Sequence, residues 1–436
     1  MKHLLRRAAA LALAAAMTLT LTGCIFRSSV EDLFTLPRVA AEYAGLSQEL
    51  DDLQKQGYEL IAPSAGENIQ SVQMVDLNND GQSEALVFMR LQGDEKPLKI
   101  FIFRPEDESY HQLCVIESSG TAIDSVQYED LTGNGHQEII VGWRISADVQ
   151  TVAVYVPQPE PYVLLQSGYT RFTVTDLDGD GVKSLLLFRS DNDGQPVAGL
   201  YVRKDDVISA SYSSVLSCTM AELSRGSIVC GKLDSQSNAA FITGVDEGNQ
   251  AMTDILVSRE GELKNVTQSR STGKTDVHYA FSQLRPQDIN NDGIIEIPYP
   301  ADSTVRSAAR VFCWYRYNDR GDSVWVMDTY HNQPDGWYLT LSEDWHGCMK
   351  GTDIISTDKG SCVTLQCNGE AMLYLYSFSG EDRDREARSD GRTLLMLRSN
   401  MAYAMRITEA GEHIGVSNEW VNSHFYLIST AWAAGN

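Results

Sequence analysis

Basic residues are scarce in this chain. Thirty-five Lys and Arg stand against 59 Asp and Glu, a formal net charge of −24. A nucleic-acid surface needs clustered cations to neutralise phosphates, so that class of partner is excluded. The same deficit argues against a polybasic grip on anionic lipid. No Cys-x-x-Cys occurs, which argues against a zinc ribbon or a thioredoxin-type site. His-Glu-x-x-His, Gly-x-Ser-x-Gly and a complete Walker loop are absent too; Gly273-Lys274-Thr275 lacks the required Gly five residues ahead of it. Ser356-Thr357-Asp358-Lys359 fits Ser-x-x-Lys, but there is no Lys-Thr-Gly to complete a β-lactamase set. His111, His136, His278, His331, His346, His413 and His424 are scattered along the chain. Apolar length is also lacking: Ala8 to Leu21 is almost wholly apolar, but a permanent membrane span needs roughly 20 such residues.

That apolar stretch follows Lys2, Arg6 and Arg7 and ends in Leu21-Thr22-Gly23-Cys24. The arrangement resembles a bacterial lipoprotein signal box, with an ordinary signal peptide as the alternative. The resemblance implies cleavage before Cys24, whose sulfur would carry diacylglycerol. Residues 1–23 are then a signal peptide, and residues 24–436 a protein lipid-anchored to the bacterial cell membrane on its extracytoplasmic side. Loss of three cations would leave 32 against 59 acids and take the charge to −27. Seven further cysteines remain: Cys114, Cys218, Cys230, Cys313, Cys348, Cys362 and Cys367. Export permits disulfides, and an odd count leaves a thiol free. Cys362 with Cys367 and Cys218 with Cys230 are the pairs nearest in sequence.

What the chain has in abundance is one pattern, repeated five times: apolar strand, Asp/Asn/Gly-rich loop, apolar strand. The copies read VQMVDLNNDGQSEALVFMR (72–90), VQYEDLTGNGHQEIIVGWR (126–144), FTVTDLDGDGVKSLLLFRS (172–190), SIVCGKLDSQSNAAFITG (227–244) and LRPQDINNDGIIEIPYP (284–300). Their first loop positions fall at Asp76, Asp130, Asp176, Lys232 and Asp288, so the period is near fifty. Period-two alternation places four strands in each repeat, at 71–75, 84–90, 99–104 and 110–117 in the first. The second gives 125–129, 138–144, 151–156 and 162–168; the third gives 171–175, 184–189, 197–202 and 207–216. Four short antiparallel strands at this period predict a mainly β chain built as a β-propeller, with five recognisable blades and five to seven in total.

The repeat resembles the FG-GAP/VCBS class, the blades of integrin α-subunit heads and of many secreted bacterial proteins. The resemblance covers residues 58–332 and rests on Asp-x-(Asp/Asn)-x-Asp-Gly followed by an acid. Phe-Gly and Gly-Ala-Pro marks are missing, which places the chain closer to the looser VCBS form. The resemblance implies calcium loops, with ligands from side chains at positions 1, 3, 5 and 9 and a carbonyl at 7. That assigns Asp76, Asn78, Asp80 and Glu84 in the first loop and Asp288, Asn290, Asp292 and Glu296 in the fifth. The third offers Asp176, Asp178 and Asp180, with Ser184 in place of the last acid. The second offers Asp130, Thr132, Asn134 and Glu138, with two carboxylates and weaker binding; the fourth, with Lys232, is expected to hold no metal. Extracellular calcium modules bind at about 10⁻⁴ to 10⁻³ M, which suits a structural role. An EF-hand is excluded because position 12 is Val87, Leu187 or Tyr299 and strands flank the loops. Metal-free turns are the alternative, since Asp and Asn hydrogen-bond their own backbone.

Outside the repeats, Val39, Tyr43, Leu46, Leu50 and Leu53 recur at helical spacing, so residues 24–57 read as a tether and an amphipathic helix. Residues 333–436 read as a smaller α+β domain or as degenerate final blades. The α+β reading has a hairpin flavour at 335–351, strands at 361–367, 370–380, 393–398 and 401–407, a solvated loop at 380–391, and a closing helix from Asn418 to Ile428 capped by Asn418. Gly336, Tyr338, Leu339 and Trp345-His346-Gly347 are distantly similar to PsbP-like domains. Trp143, Trp314, Trp325, Trp337 and Trp345 line either a sugar-binding face or the core. The combined expectation is a non-enzymatic, calcium-stabilised binding or scaffold module for a protein or an envelope glycan. A polysaccharide-directed hydrolase with acids in a propeller channel, and a structural accessory of envelope assembly, are the alternatives.

Overall fold

The computed structural model describes residues 44–428 apart from 107–108, 205–206, 281–283, 302–308, 352–354 and 358–359. Cys24, the signal segment and the start of the expected tether lie outside the described residues. Among the described residues the protein is mainly β, 52% strand and 10% helix, in several antiparallel sheets. The described residues divide into two compact units, those up to Gly57 with those between Pro105 and His111, and the rest. The first unit holds the helix Ala44–Lys55, on which Leu46 and Leu53, two turns apart, are buried. Gly45 suits the close approach there: a Cβ would lie 2.7 Å from Ser109 Oγ and 3.1 Å from its Cα. Among the described residues no helix is long and apolar enough to cross a membrane.

The sheets follow one another in chain order. The first combines Tyr58–Leu60, Val72–Val75, Glu84–Leu91, Leu98–Glu106 and Ser109–Ser118. The second is a four-strand meander of Ala122–Glu129, Glu138–Arg144, Gln150–Val156 and Tyr162–Gly168. The third repeats it with Arg171–Thr175, Ser184–Ser190, Pro196–Lys204 and Val207–Val215. The fourth uses Ser227–Lys232, Asn238–Val245, Gln250–Arg259 and Glu262–Asn265, with His278–Ala280 added beside Gln250–Arg259. The fifth runs Glu296–Pro300, Ala309–Tyr317, Ser323–Asn332 and Trp337–Thr340, so it reaches past residue 332, and Phe425–Leu427 closes it. The sixth is built from six strands between Met349 and Ile407.

The second strand of each repeat explains the packing. Ala85 to Met89, Ile139 to Val141 and Leu185 to Phe188 are apolar on both faces and fully buried. A strand of that kind must be covered on both sides. Side chains alternate accordingly. Val141 joins Leu86 and Phe88 of the first sheet, whereas its neighbour Ile140 joins Leu185 and Leu187 of the third. Leu186 and Phe188 turn the other way, onto Ile242 and Leu256 of the fourth. Phe241 and Ile255 then meet Ile297 and Tyr317 of the fifth, and Tyr330 and Leu339 meet Val363 and Leu375 of the sixth. Each sheet therefore shares an apolar core with the next.

Several expectations for the C-terminal part are corrected. Residues 335–351 form no hairpin, because Trp337–Thr340 joins the fifth sheet and Met349–Gly351 the sixth. The loop at 380–391 contains the short helix Arg383–Ala387, whose Ala387 is buried. The closing helix is Asn418–His424, capped by Ser417, whose hydroxyl accepts the Trp420 N–H at 3.1 Å. It stops there because Phe425 enters the sheet and is buried. Four tryptophans of the proposed sugar face, Trp143, Trp314, Trp337 and Trp345, are core; Trp325 is half-buried. Neither near-sequence cysteine pair forms. Cys362 and Cys367 lie on one extended strand, Gly360–Cys367, about 16 Å apart by strand rise, beyond disulfide reach. Cys367 instead bonds Cys348, with Cα atoms 4.9 Å apart. Cys218 and Cys230 are free thiols.

Candidate metal-binding loops

The acidic loops join the first and second strands of their sheets and share one backbone design. In each complete copy the leading Asp turns both carboxylate oxygens inward, onto backbone amides four and five residues on. Asp76 accepts from Asp80 N at 3.2 Å and Gly81 N at 2.9 Å, Asp130 from Asn134 N at 3.1 Å and Gly135 N at 2.7 Å. Asp288 accepts from Asp292 N at 3.0 Å and Gly293 N at 2.8 Å. Asp176 differs slightly, taking Gly179 N at 2.8 Å and Gly181 N at 3.0 Å. The glycine at position 6 is required: φ is +88° at Gly81, +86° at Gly135, +88° at Gly181 and +86° at Gly293. In the fourth loop Lys232 replaces the leading Asp, and Asp234 takes the amides of Gln236 and Ser237 instead, at 2.8 and 2.7 Å.

Position 9 separates the loops. Glu84, Glu138 and Glu296 are 1, 2 and 0% exposed, and each gives one oxygen to the amide at position 2. Those bonds, from Leu77, Leu131 and Ile289, measure 2.9, 2.8 and 3.2 Å. The second oxygen meets three different fates. At Glu84 it takes Arg104 Nε at 3.2 Å and Asn78 Nδ2 at 3.3 Å. At Glu138 it takes the Thr132 hydroxyl at 3.0 Å. At Glu296 Oε1 has no hydrogen-bond partner among the described residues. Burial raises the Glu138 carboxyl and pushes Glu296 up to about 7, with Asp292 and Asp288 adding repulsion. Arg316 stands across the strand pair from Glu296, as Arg104 does from Glu84, but its Nη1 reaches Asp292 Oδ2 at 3.4 Å.

These fates decide which loops suit the implied calcium. An orphaned, fully buried carboxylate oxygen costs free energy unless a cation or a proton meets it. The fifth loop has one, together with Asp288, Asn290 and Asp292, and the fit is good. In the third loop, oxygens of Asp176, Asp178 and Asp180 lie within 4.8 Å of one another. Burial, then repulsion from Asp180, raises the Asp178 carboxyl. Ser184, at position 9, is itself buried. The first loop fits less well, because Arg104 supplies a positive charge to the buried Glu84. The second has a hydroxyl and two carboxylates, as its sequence indicates.

The loops also touch one another in chain order, which no spacing in the sequence states. Gln137 N of the second donates to Leu77 O of the first at 2.7 Å, and Asn79 Nδ2 of the first donates to Gly135 O of the second. Lys183 beside the third pairs with Glu129 beside the second at 2.6 Å, and Arg203 donates to Thr132 O. Asn238 Nδ2 of the fourth donates to Asp176 O of the third at 2.7 Å. Ile295 N of the fifth donates to Lys232 O of the fourth at 2.9 Å. The five loops thus form one continuous row along matching edges of successive sheets. A cavity of about 200 Å³ opens between the first two, lined by Asn78, Glu84, Arg104, Asn134, His136 and Glu138. The residues expected at positions 1, 3 and 5 lie in the connecting loops, and Glu84, Glu138, Ser184 and Glu296 at position 9 begin the strands that follow; Arg104 and Arg316 were not expected from the sequence. Both follow their position-9 Glu by 20 residues, a recurrence that marks them.

No protein-family model matches the chain, and no curated protein matches it. Among solved structures it is similar to an exo-β-1,3-galactanase from Phanerochaete chrysosporium, crystallised with β-1,3-galactotriose. Identity is 11% over 81% of this chain and 89% of that one, with a TM-score of 0.26. A hypothetical protein from Leishmania major is similar at 9% identity over 74% of this chain and 91% of its own, with a TM-score of 0.17. Likeness at these scores carries no argument about activity.

Proposed function

We propose that the protein is a lipid-anchored, extracytoplasmic binding module whose sheets are the blades of an FG-GAP/VCBS-like β-propeller stiffened by calcium. The observation that carries this reading is the laterally bonded row of five equivalent loops. Four-strand meanders that share cores with their chain neighbours support it, as blades of a propeller pack in that way. The loop acids support binding over hydrolysis, because their carboxylates are engaged on the loops' own amides. Rigid strands with loops along one edge suit recognition of a protein or an envelope glycan. Residues 333–436 contribute the end of the fifth sheet and a sixth, and Cys24 supplies the anchor.

Two measurements on cells and on the purified chain test the reading. Fractionation should find the wild-type protein with membranes and a Cys24→Ser variant in the soluble exported fraction; a variant that still sediments with membranes overturns the anchor. A chelator should lower the melting temperature, since calcium bound only by the native state stabilises it. Identical melting curves with calcium and with chelator would remove the stiffening role.

A further inference from the structure

The fifth sheet carries a second group of metal-type donors, unrelated to the acidic loops. Cys313 and Asp328 are direct cross-strand partners on Ala309–Tyr317 and Ser323–Asn332. Directly opposed residues of an antiparallel pair present their side chains on the same face, about 5 Å apart at Cβ. His346 arrives from the turn Glu343–Trp345, its own N–H bonded to Glu343 O at 3.0 Å. Trp345 is buried in the core and Cys348 is tied to Cys367, so the residues on both sides of His346 are held. The thiol sulfur, a carboxylate oxygen and an imidazole nitrogen all lie within 4.8 Å of one another.

The surroundings match a ligand set. Asp328 is 2% exposed, and His346, whose Nδ1 stands 2.9 Å from Oδ2, is its one ion-pair partner among the described residues. Its other oxygen, Oδ1, accepts the Trp325 indole N–H at 2.8 Å. That bond fixes the carboxylate and leaves Oδ2 to the imidazole, the outer-shell arrangement that orients metal ligands. The Trp325 ring also lies against the His346 ring, centroids 4.3 Å apart. Tetrahedral zinc, with bonds of about 2.0–2.3 Å, separates its ligand atoms by roughly 3.3–3.8 Å, inside the 4.8 Å limit of the group and slightly wider than the present Nδ1–Oδ2 approach of 2.9 Å. One side stays open. Cys313 also lines a cavity of about 300 Å³ with Tyr299, Tyr315, Tyr317 and Ser323. The His346 side chain is 45% exposed, so an ion can enter from solvent.

We propose that Cys313, Asp328 and His346 form a site for a divalent transition metal, zinc in the first place, with its fourth position open to water or a small ligand in the tyrosine-lined cavity. The thiol gives its proton to solvent as the sulfur binds. A thiolate and an imidazole favour zinc over calcium, so this site and the acidic loops take different ions.

The test uses the full exported chain in calcium-saturated buffer, titrated with cobalt(II) as a visible probe and with zinc in competition. One equivalent of cobalt should develop a thiolate-to-metal charge-transfer band, and zinc should displace it. Cys313→Ser should abolish the band and weaken zinc on the order of 100-fold, and His346→Ala should weaken it similarly; Trp325→Phe should cost about tenfold. Cys362→Ser, at another half-buried thiol, should change nothing. His346→Ala alters a largely solvent-facing side chain, so it reports binding even where Cys313→Ser fails to fold. Absence of the band in the wild-type protein, or a band that survives both Cys313→Ser and His346→Ala, overturns the proposal.

Discussion

Replacing Glu296 by Gln probes the fifth loop most sharply, because it removes one charge and little volume. Glu296 is fully buried, with one oxygen on Ile289 N and the other bare. Its carboxyl sits at about 7 against an ordinary 4.5, raised first by burial. A raised carboxyl favours the folded state while it is protonated. That contribution is complete below pH 4.5 and is lost as the pH climbs through about 7. At about 1.4 kcal/mol for each pH unit between the two values, the loss is on the order of 3 kcal/mol by pH 8. For a chain of this size that corresponds to roughly 5 °C in melting temperature. In chelator at pH 8, Glu296→Gln should therefore melt a few degrees above wild type, and at pH 5 the two should coincide. With calcium the order should reverse at pH 8, since the wild-type carboxylate then faces a cation and the amide offers it less. Thermal melts followed by circular dichroism at both pH values, with and without calcium, give the answer. A variant that melts below wild type in chelator at pH 8 while keeping the full calcium gain refutes the reasoning.

The first loop should respond in the opposite sense. Arg104→Gln removes the cation from the buried Glu84, so the metal-free protein should lose about 1–3 kcal/mol, and calcium should restore more stability than it does in wild type. A calcium gain unchanged by this substitution would show that Arg104 is no stand-in. Ser184→Glu supplies the acid missing at position 9 of the third loop, and calorimetric titration should show calcium affinity raised about tenfold there; no change means that position 9 is not a ligand. Replacing Cys348 and Cys367 together by Ser opens the bridge between the turn after the fifth sheet and a strand of the sixth, and should cost about 2–4 kcal/mol in chemical denaturation.

Much of this architecture was legible in the sequence because burial on both faces leaves a plain mark. Strands such as Leu185-Leu186-Leu187-Phe188 are continuous apolar runs, and the Asp-Gly loops punctuate them, so strand positions in the first three repeats could be read closely. The individual loops were legible for the same reason: an Asp four and five residues ahead of the amides it caps is a local pattern. What was hidden is non-local. Phe425–Leu427 pairs with Trp337–Thr340 across most of the C-terminal region, and its apolar residues looked like the end of a helix. Arg104 meets Glu84 only through strand register, one strand pair away. Cys348 and Cys367 pair because a turn and a strand converge, while the nearer Cys362 is held apart by its own extended backbone. The same convergence assembles Cys313, Asp328 and His346 from three elements, so no local motif announces them.

The central claim is that the acidic loops are equivalent, neighbouring cation sites along one edge of a repeated array of sheets. A crystal structure grown in calcium and recorded for its anomalous signal tests that most directly. The account predicts anomalous peaks inside the loops at Asp288 to Glu296 and Asp176 to Ser184, side by side with the other loops in one row, and none in the loop at Lys232. Loops without calcium at saturating concentration, or peaks scattered over unrelated edges of the sheets, would contradict it.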